Sequence, residues 1–591
     1  MWESGIEREM KKASGYTCAA LLAILIAVPT KSGAATRELC GIYRIDSPNI
    51  IKFNANEKKM VCGDSDAASW RKIPRFQAEH FIRAALQGRG YFYPEFENKG
   101  ESVIVRPGAK TKVKSVSVDG SPPSDFRVDR RRGIRGAILT PSLLNSCEKW
   151  AQGQLKSDGY ACPRVSSSAR ADTGDIVLHL EPGEQMKIFD VDEGELEGLR
   201  PGTLRRFDAF RLGDTYDYRK LTLTTRRIEE DGIFQSSHFR TECTPDGALL
   251  KQQNIVGPTR LFSIGFGANS EDYFVVKATW KMARLGKNGS SFMVTGWGTY
   301  RKQNITLQGR LYPLPFPSRW HLNPSLTNRN VNESRYRYTA IDVFVPPAVT
   351  WESNSAHFRA AFGPKLNFTH TYSGAARGMT HFLSASARFD VTSHDFEYNI
   401  LDPVKGYTVS AGVDLNHDSI ISSITAQQLT LKGQALWSID GFDPPLFILA
   451  VRGQAGTTIV NDNSASFARL PPQFLYYLGG SQDVRGFSRK QLPAADRGAL
   501  TSLYAGVELR IANILPLNIQ PIIFADFAAM GQRSLRLDFP AYWSPGLGIR
   551  WPSIVGTLRL NAAHGYLIND KSALAGRPGG WQYYISLGEE F

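Results

Sequence analysis

From about residue 260 to Phe591 the chain is written in a two-residue period. Segments of roughly ten residues alternate apolar and polar side chains. Tyr407–Leu415, Ser502–Arg510, Gln520–Asp526 and Thr557–Asn561 are examples, and Asn, Asp, Gly, Ser and Pro fill the gaps between them. In the last segment Trp581, Tyr583, Ile585, Leu587 and Phe591 fall on one face. Gln582, Tyr584, Ser586, Gly588 and Glu590 fall on the other, and Glu589 breaks the apolar face. Such alternation predicts strands with one apolar face and one polar face. A closed barrel satisfies every backbone group while turning the apolar face to lipid. About 330 residues at roughly ten per strand, plus turns, predict around 16 antiparallel strands. A soluble β-sandwich also alternates, but an export signal and a terminal aromatic strand favour the membrane barrel.

That signal is at the N-terminus. Lys11 and Lys12 precede an apolar stretch from Tyr16 to Val28, and the small residues Ser32, Gly33, Ala34 and Ala35 follow. This is the layout of a cleaved signal peptide over residues 1–35. The stretch is short of the roughly 20 apolar residues of a spanning helix, and no later run reaches that length. The chain has 591 residues and a formal charge of +14. The excess is diffuse apart from Arg130–Arg132, with Arg127 and Arg135 nearby. No aromatic residues interleave with that run, so it reads as a solvated face and not as a nucleic-acid groove.

Of six cysteines, Cys18 lies in the signal. An exported compartment permits disulfides. The expected pairs are Cys40–Cys62 and Cys147–Cys162, with Cys243 left over, although five cysteines allow other pairings. There is no Cys-x-x-Cys for a metal or redox centre. The ten histidines are scattered, and neither a Gly-x-Ser-x-Gly elbow nor a His-x-x-x-His pair occurs. No enzyme activity, metal or cofactor is expected.

The first half repeats. Val103–Gly108 is followed by Lys112–Gly120, and Leu178–Gly183 by Met186–Gly194. Each pair reads as a strand, a Pro-Gly turn and a second strand, about 75 residues apart. Three helix-like segments stop at Gly90, Gly159 and Gly232, which suits left-handed caps. The predicted organisation is three α+β modules, at 40–108, 109–184 and 185–258, followed by a barrel at 259–591.

Late in the alternating region stands Val484-Arg485-Gly486-Phe487, in a glycine-rich loop. A buried guanidinium needs counter-charge. Glu508 and Asp526, on the lumen side of their strands, are positioned to supply it. Gly486 would allow a tight turn and Phe487 would wedge the tip. Phe524-Ala-Asp526, Ser544–Arg550, Gly556–Leu560, the ending Leu587–Phe591 and Gly265-Phe-Gly267 complete the pattern.

Together these motifs resemble the superfamily of BamA, TamA and the two-partner secretion transporters, and the modules resemble POTRA domains. Three modules are most like the TamA branch. Ala528, Val555 and Asn269–Asp272 depart from the usual motifs. The resemblance implies a barrel in the cell outer membrane with POTRA domains in the periplasm. It implies a weak first/last-strand seam at Gly265, Gly267, Gly588 and Phe591, where an incoming strand pairs by β-augmentation. It further implies insertion or translocation of outer-membrane proteins such as autotransporters. The expected partners are outer-membrane lipids and a TamB-like inner-membrane-anchored protein, with no nucleic acid. The alternative within the superfamily is a two-partner secretion pore for one exoprotein.

Overall fold

Sixteen antiparallel strands close into a barrel between Arg260 and Gly588 in a computed structural model of the chain. The structure describes residues 37–48, 50–64, 73–460, 468–493, 497–538, 541–553, 556–568 and 580–588. The expected signal segment 1–35, Val555 and the terminal residues Glu589, Glu590 and Phe591 lie outside the described residues.

Three wall strands are interrupted. Trp320–Leu322 continues as Ser325–Asn332, Arg337–Phe344 as Pro347–Glu352, and Gly556–His564 as Tyr566–Leu567. Pro324 and Pro346 sit in the first two breaks. Proline has no amide to give the ladder, so it interrupts pairing there. Elsewhere the two-residue period sorts the side chains. Phe262, Phe266, Phe274, Phe362, Trp437, Trp581 and Tyr583 are exposed on the outer face. Asn367, Thr369, Ser386, Asp414 and Asp526 are buried on the lumen side.

The described chain divides into two compact units. One takes residues up to Asp119 with 133–149 and 166–179; the other takes 120–132, 150–165 and 180–591. The first unit holds a four-stranded sheet ordered Arg37–Leu39, Tyr43–Ile45, Ser102–Arg106, Glu95–Lys99. Helix Arg75–Gln87 presents Ala78, Ile82 and Leu86 at every fourth position, one stripe of a helix. That stripe packs with Val103 and Val105 of the sheet. A second sheet, ordered Ser115–Gly120, Asp175–Glu181, Arg164–Arg170, lies mostly in this unit.

The second unit contains the barrel and a third sheet ordered Ile188–Asp192, Gly247–Ile255, Ser236–Thr244. Its opening strand runs parallel to Gly247–Ile255, as Tyr43–Ile45 does to Ser102–Arg106 in the first sheet. Helix Tyr218–Glu230 is capped by the Asp217 side chain and buries Leu221, Leu223, Thr224 and Ile228. Gly90, Gly159 and Gly232 follow their helices with φ of +89°, +102° and +71°, the left-handed conformation that glycine adopts without penalty.

The cysteine expectation needs correction. Cys40 pairs with Cys62, but Cys162 pairs with Cys243 and not with Cys147. Cys147 is buried on helix Pro141–Ser157, aimed into packed side chains. Cys162 lies beyond that helix with its Cα 6.4 Å from that of Cys243, within disulfide reach. The arginine run makes backbone contacts that its composition does not reveal. Arg132 N–H donates to Asp443 O at 3.0 Å, and Asp443 N–H donates to Arg130 O at 2.8 Å. Trp150 Nε1 donates to Asp443 Oδ2 at 2.7 Å. Backbone pairing and the indole hold this run on the turn between Ala426–Ser438 and Phe447–Val460, while Arg127, Arg130 and Arg135 stay exposed.

Candidate functional site

The loop between strands Phe447–Val460 and Thr501–Ile511 folds into the lumen. Its Leu470, Phe474, Leu475 and Tyr477 pack on Tyr336, Tyr338, Phe382 and Ala426 of the inner wall. Deeper in the loop, Arg485 is 2% exposed. Its Nε and Nη2 donate to Asp526 Oδ2 and Oδ1 at 2.7 and 3.0 Å. Its Nη1 donates to Glu508 Oε2 at 3.1 Å. Tyr504 OH donates to Asp526 Oδ1 at 3.1 Å, and Arg510 Nε donates to Glu508 Oε1 at 2.8 Å. The guanidinium also lies 3.2 Å over the centroid of the Phe524 ring. Both carboxylates are therefore fully engaged, and the buried charge of Arg485 is met by a two-pronged contact on Asp526.

Gly486 works by close approach. A Cβ there would fall 2.3 Å from the backbone nitrogen of Gly565, so the loop and the wall meet glycine to glycine. Val484 and Phe487 are fully buried. The Phe487 ring stands edge-on to Tyr542 at 5.4 Å, and its carbonyl accepts from Tyr584 OH of the last strand at 2.8 Å.

Other contacts escaped the sequence reading. Ser481 N–H and Oγ donate to Glu271 in the first barrel turn. Arg489 donates to Asp272 Oδ2 at 2.8 Å and to Glu333 Oε1 at 2.9 Å. The one available sign was the departure at Asn269–Asp272, where two acidic residues end the turn. The loop thus touches both flanks of the seam: Glu271 and Asp272 beyond the first strand, and Tyr584 on the last.

The seam itself is short. Strand Arg260–Asn269 pairs along all ten residues with Tyr273–Leu285. It meets the last strand Trp581–Gly588 at only two partner pairs, Ala268↔Leu587 and Asn269↔Ser586, with Ser270 N–H donating to Ile585 O just beyond. These pairs join the far end of the first strand to the terminal end of the last. Among the described residues, Arg260–Gly267 has no strand partner on that side. Gly267 and Gly588 come together, since a Cβ on Gly588 would lie 3.2 Å from the Cα of Gly267, whereas a Cβ on Gly265 would face open space.

The third sheet's helix supports the other end of this strand. A Cβ on Gly232 would fall 2.6 Å from Leu261 Cδ1, so glycine lets the helix end press on the first strand. Beside it, Asp231 Oδ1 accepts from Lys281 Nζ at 2.8 Å and Arg310 Nη1 at 2.9 Å. Burial opposes the charge of Asp231, but Arg310 and Lys281 carry it below the usual carboxylate range. Arg227 forks onto Glu397 at 2.6 Å and reaches Glu352 Oε1 at 2.9 Å. Asp208 behaves oppositely: burial pushes it up to about 7, and Arg205 at 3.2 Å only partly offsets this.

Among the described residues, the arrangement offers a strand edge without a partner and a braced wall.

Residues 294–591, half of the chain, match the Omp85 superfamily domain. Among solved structures, BamA from Haemophilus ducreyi lacking POTRA domains 1–3 is 14% identical with a TM-score of 0.48, covering 81% of this chain and 99% of that one. CdiB from Escherichia coli is 12% identical with a TM-score of 0.44, covering 86% of this chain and 95% of its own. CdiB from Acinetobacter baumannii is 12% identical with a TM-score of 0.43, covering 81% and 90%. The chain belongs to the Omp85 superfamily.

Proposed function

We propose that this Omp85-superfamily barrel, a protein of outer-membrane assembly or secretion, is an assembly factor that accepts incoming strands at its seam. The observation that carries the reading is the seam of two partner pairs, which among the described residues leaves the edge at Arg260–Gly267 without a partner. An unpaired strand presents a row of backbone donors and acceptors, which a nascent outer-membrane strand satisfies by β-augmentation. The Arg485 loop keeps the rest of the wall in shape while that edge stays open. The N-terminal modules, at 40–108, 109–184 and 185–258, are POTRA domains that deliver substrates such as autotransporters from the periplasm. A TamB-like inner-membrane-anchored protein is the partner on that side, as in the TamA branch.

The test is site-specific photo-crosslinking in cells. A photoreactive residue at Ile264, on the open edge, should capture outer-membrane protein substrates. The same residue at Leu431, on the outward face of a fully paired wall strand, should not. Equal capture at both positions, or none at Ile264, contradicts the reading.

A further inference from the structure

A chamber of about 340 Å³ lies between the third sheet's helix and the barrel wall, lined by Arg206, Arg227, Lys281, Arg310, His321 and Arg359 among others. Its cations Arg206, Arg227, Lys281, Arg310 and Arg359 outnumber its carboxylates Glu230, Asp231 and Glu397, and the last two are already engaged. Glu397 takes the fork of Arg227, and Asp231 takes both Lys281 and Arg310 through one oxygen. Among the described residues, Arg206 and Arg359 form no direct ion pair with a carboxylate. Arg206 spends its N–H groups on the carbonyls of Ser318, Asn288 and Leu314 and lies 4.3 Å over the Tyr312 ring. Those contacts satisfy its donors but leave its charge uncompensated. Arg359 Nη2 lies against the side-chain amide of Asn323. Asp390, across the ladder from Arg359, instead accepts from Ser410 Oγ at 2.7 Å. Arg359 also borders a second lumen cavity with Asp390, Lys432 and Arg388, the last of which forks onto Asp414.

Enclosed positive charge is costly unless an anion meets it, and guanidinium donors match the oxygens of a phosphate group. We propose that this chamber binds a phosphate-class oxyanion against Arg359, with Arg310 and His321 beside it. The group is supplied either by free phosphate or by a lipid headgroup. The site is separate from the seam and does not depend on strand capture.

The test uses the full-length protein in non-ionic detergent, titrated calorimetrically with inorganic phosphate and, separately, with dihexanoyl phosphatidic acid. Dihexanoyl phosphatidylcholine tests whether a zwitterionic headgroup suffices. R359Q should weaken binding at least about ten-fold, as expected for loss of a charge-assisted fork, and H321Q by less. R83Q, in the first unit, should bind like the wild type. Unchanged heat-modifiable mobility establishes that each variant is folded. Binding of both phosphate and phosphatidic acid, lost in R359Q, supports the site with free phosphate sufficient. Binding of phosphatidic acid alone, lost in R359Q, supports it with a lipid source. Absence of binding by either ligand, or binding that R359Q leaves intact, overturns the proposal.

Discussion

Two ladders of the same barrel differ most. Strands Ala356–Ser373 and Gly378–Ser393 share sixteen partner pairs, whereas the first and last strands share two. Both ladders use the same antiparallel chemistry, so the difference lies in register. Ser586 and Leu587 of the last strand meet the end of the first, and among the described residues most of the first strand's outer edge has no partner. The weak ladder is also where other elements gather. The lumen loop holds Glu271 and Asp272 on one flank and Tyr584 on the other, and the third sheet's helix presses on Leu261. The barrel therefore concentrates its looseness in one place and supports that place from inside and below.

The largest expected effect comes from the cross-link behind that support. Replacing Cys162 and Cys243 with Ser opens a closed stretch with a sequence separation of 81, against 22 for Cys40–Cys62. Chain entropy puts the losses at about 4.5 and 3 kcal/mol. Hydrogen exchange on intact protein should show the third sheet destabilised more by the first change than the first sheet is by the second. The reverse order would show that loop closure does not govern these modules.

Arg485→Ala comes next. It leaves Asp526 and Glu508 buried without their main partner, at a cost of about 3–5 kcal/mol. The expected result is loss of heat-modifiable barrel mobility, with Arg485→Lys intermediate because an ammonium lacks the fork. An alanine variant with unchanged mobility would break the contrast between a braced wall and a free seam.

The third prediction concerns pH. Asp208 has a folded-state pKa raised to about 7, so it binds its proton more tightly when folded. Its contribution is fully present below the ordinary aspartate range and is lost as pH rises toward about 7. Asp231 is lowered, so its contribution is present at neutral pH and is lost as pH falls through and below the ordinary range. Asp208→Asn should therefore flatten the fall in stability of the third sheet between about pH 4 and 7. Asp231→Asn should weaken the support under the first strand at neutral pH. Denaturant midpoints across pH check both, and a steeper slope in Asp208→Asn contradicts the assignment.

The smallest effect is Tyr584→Phe. Removing its hydroxyl forfeits one hydrogen bond to the loop, worth about 1 kcal/mol. Exchange in Trp581–Gly588 should quicken while the sixteen-pair ladder is unaffected.

Much of this was legible in the chain because strand parity is a strong code. The alternation in Trp581–Leu587 assigns Tyr584 to the lumen, and the same parity sets Glu508 and Asp526 facing Arg485. The free edge was foreshadowed only by glycines, and the two-pair register depends on how sixteen strands close, which no local pattern specifies. Cys243 was out of reach for a related reason. Its partner lies in a different sequence repeat, and sequence proximity favoured Cys147, which helix geometry turns into the packed interior. The docking of the arginine run was hidden because its contacts are made by backbone groups of Arg130 and Arg132, which composition does not reveal. Arg489 with Asp272 and Glu333 was equally hidden, since those contacts join three separate turns of the barrel.

The most direct test is amide exchange of the intact protein in a lipid nanodisc, read peptide by peptide. Amides of Arg260–Gly267 should exchange by local opening far faster than those of Ala356–Ser373, because among the described residues part of the first strand's backbone has no ladder partner. Equal protection of the two segments would mean that the seam is zipped along its length, and would contradict the account.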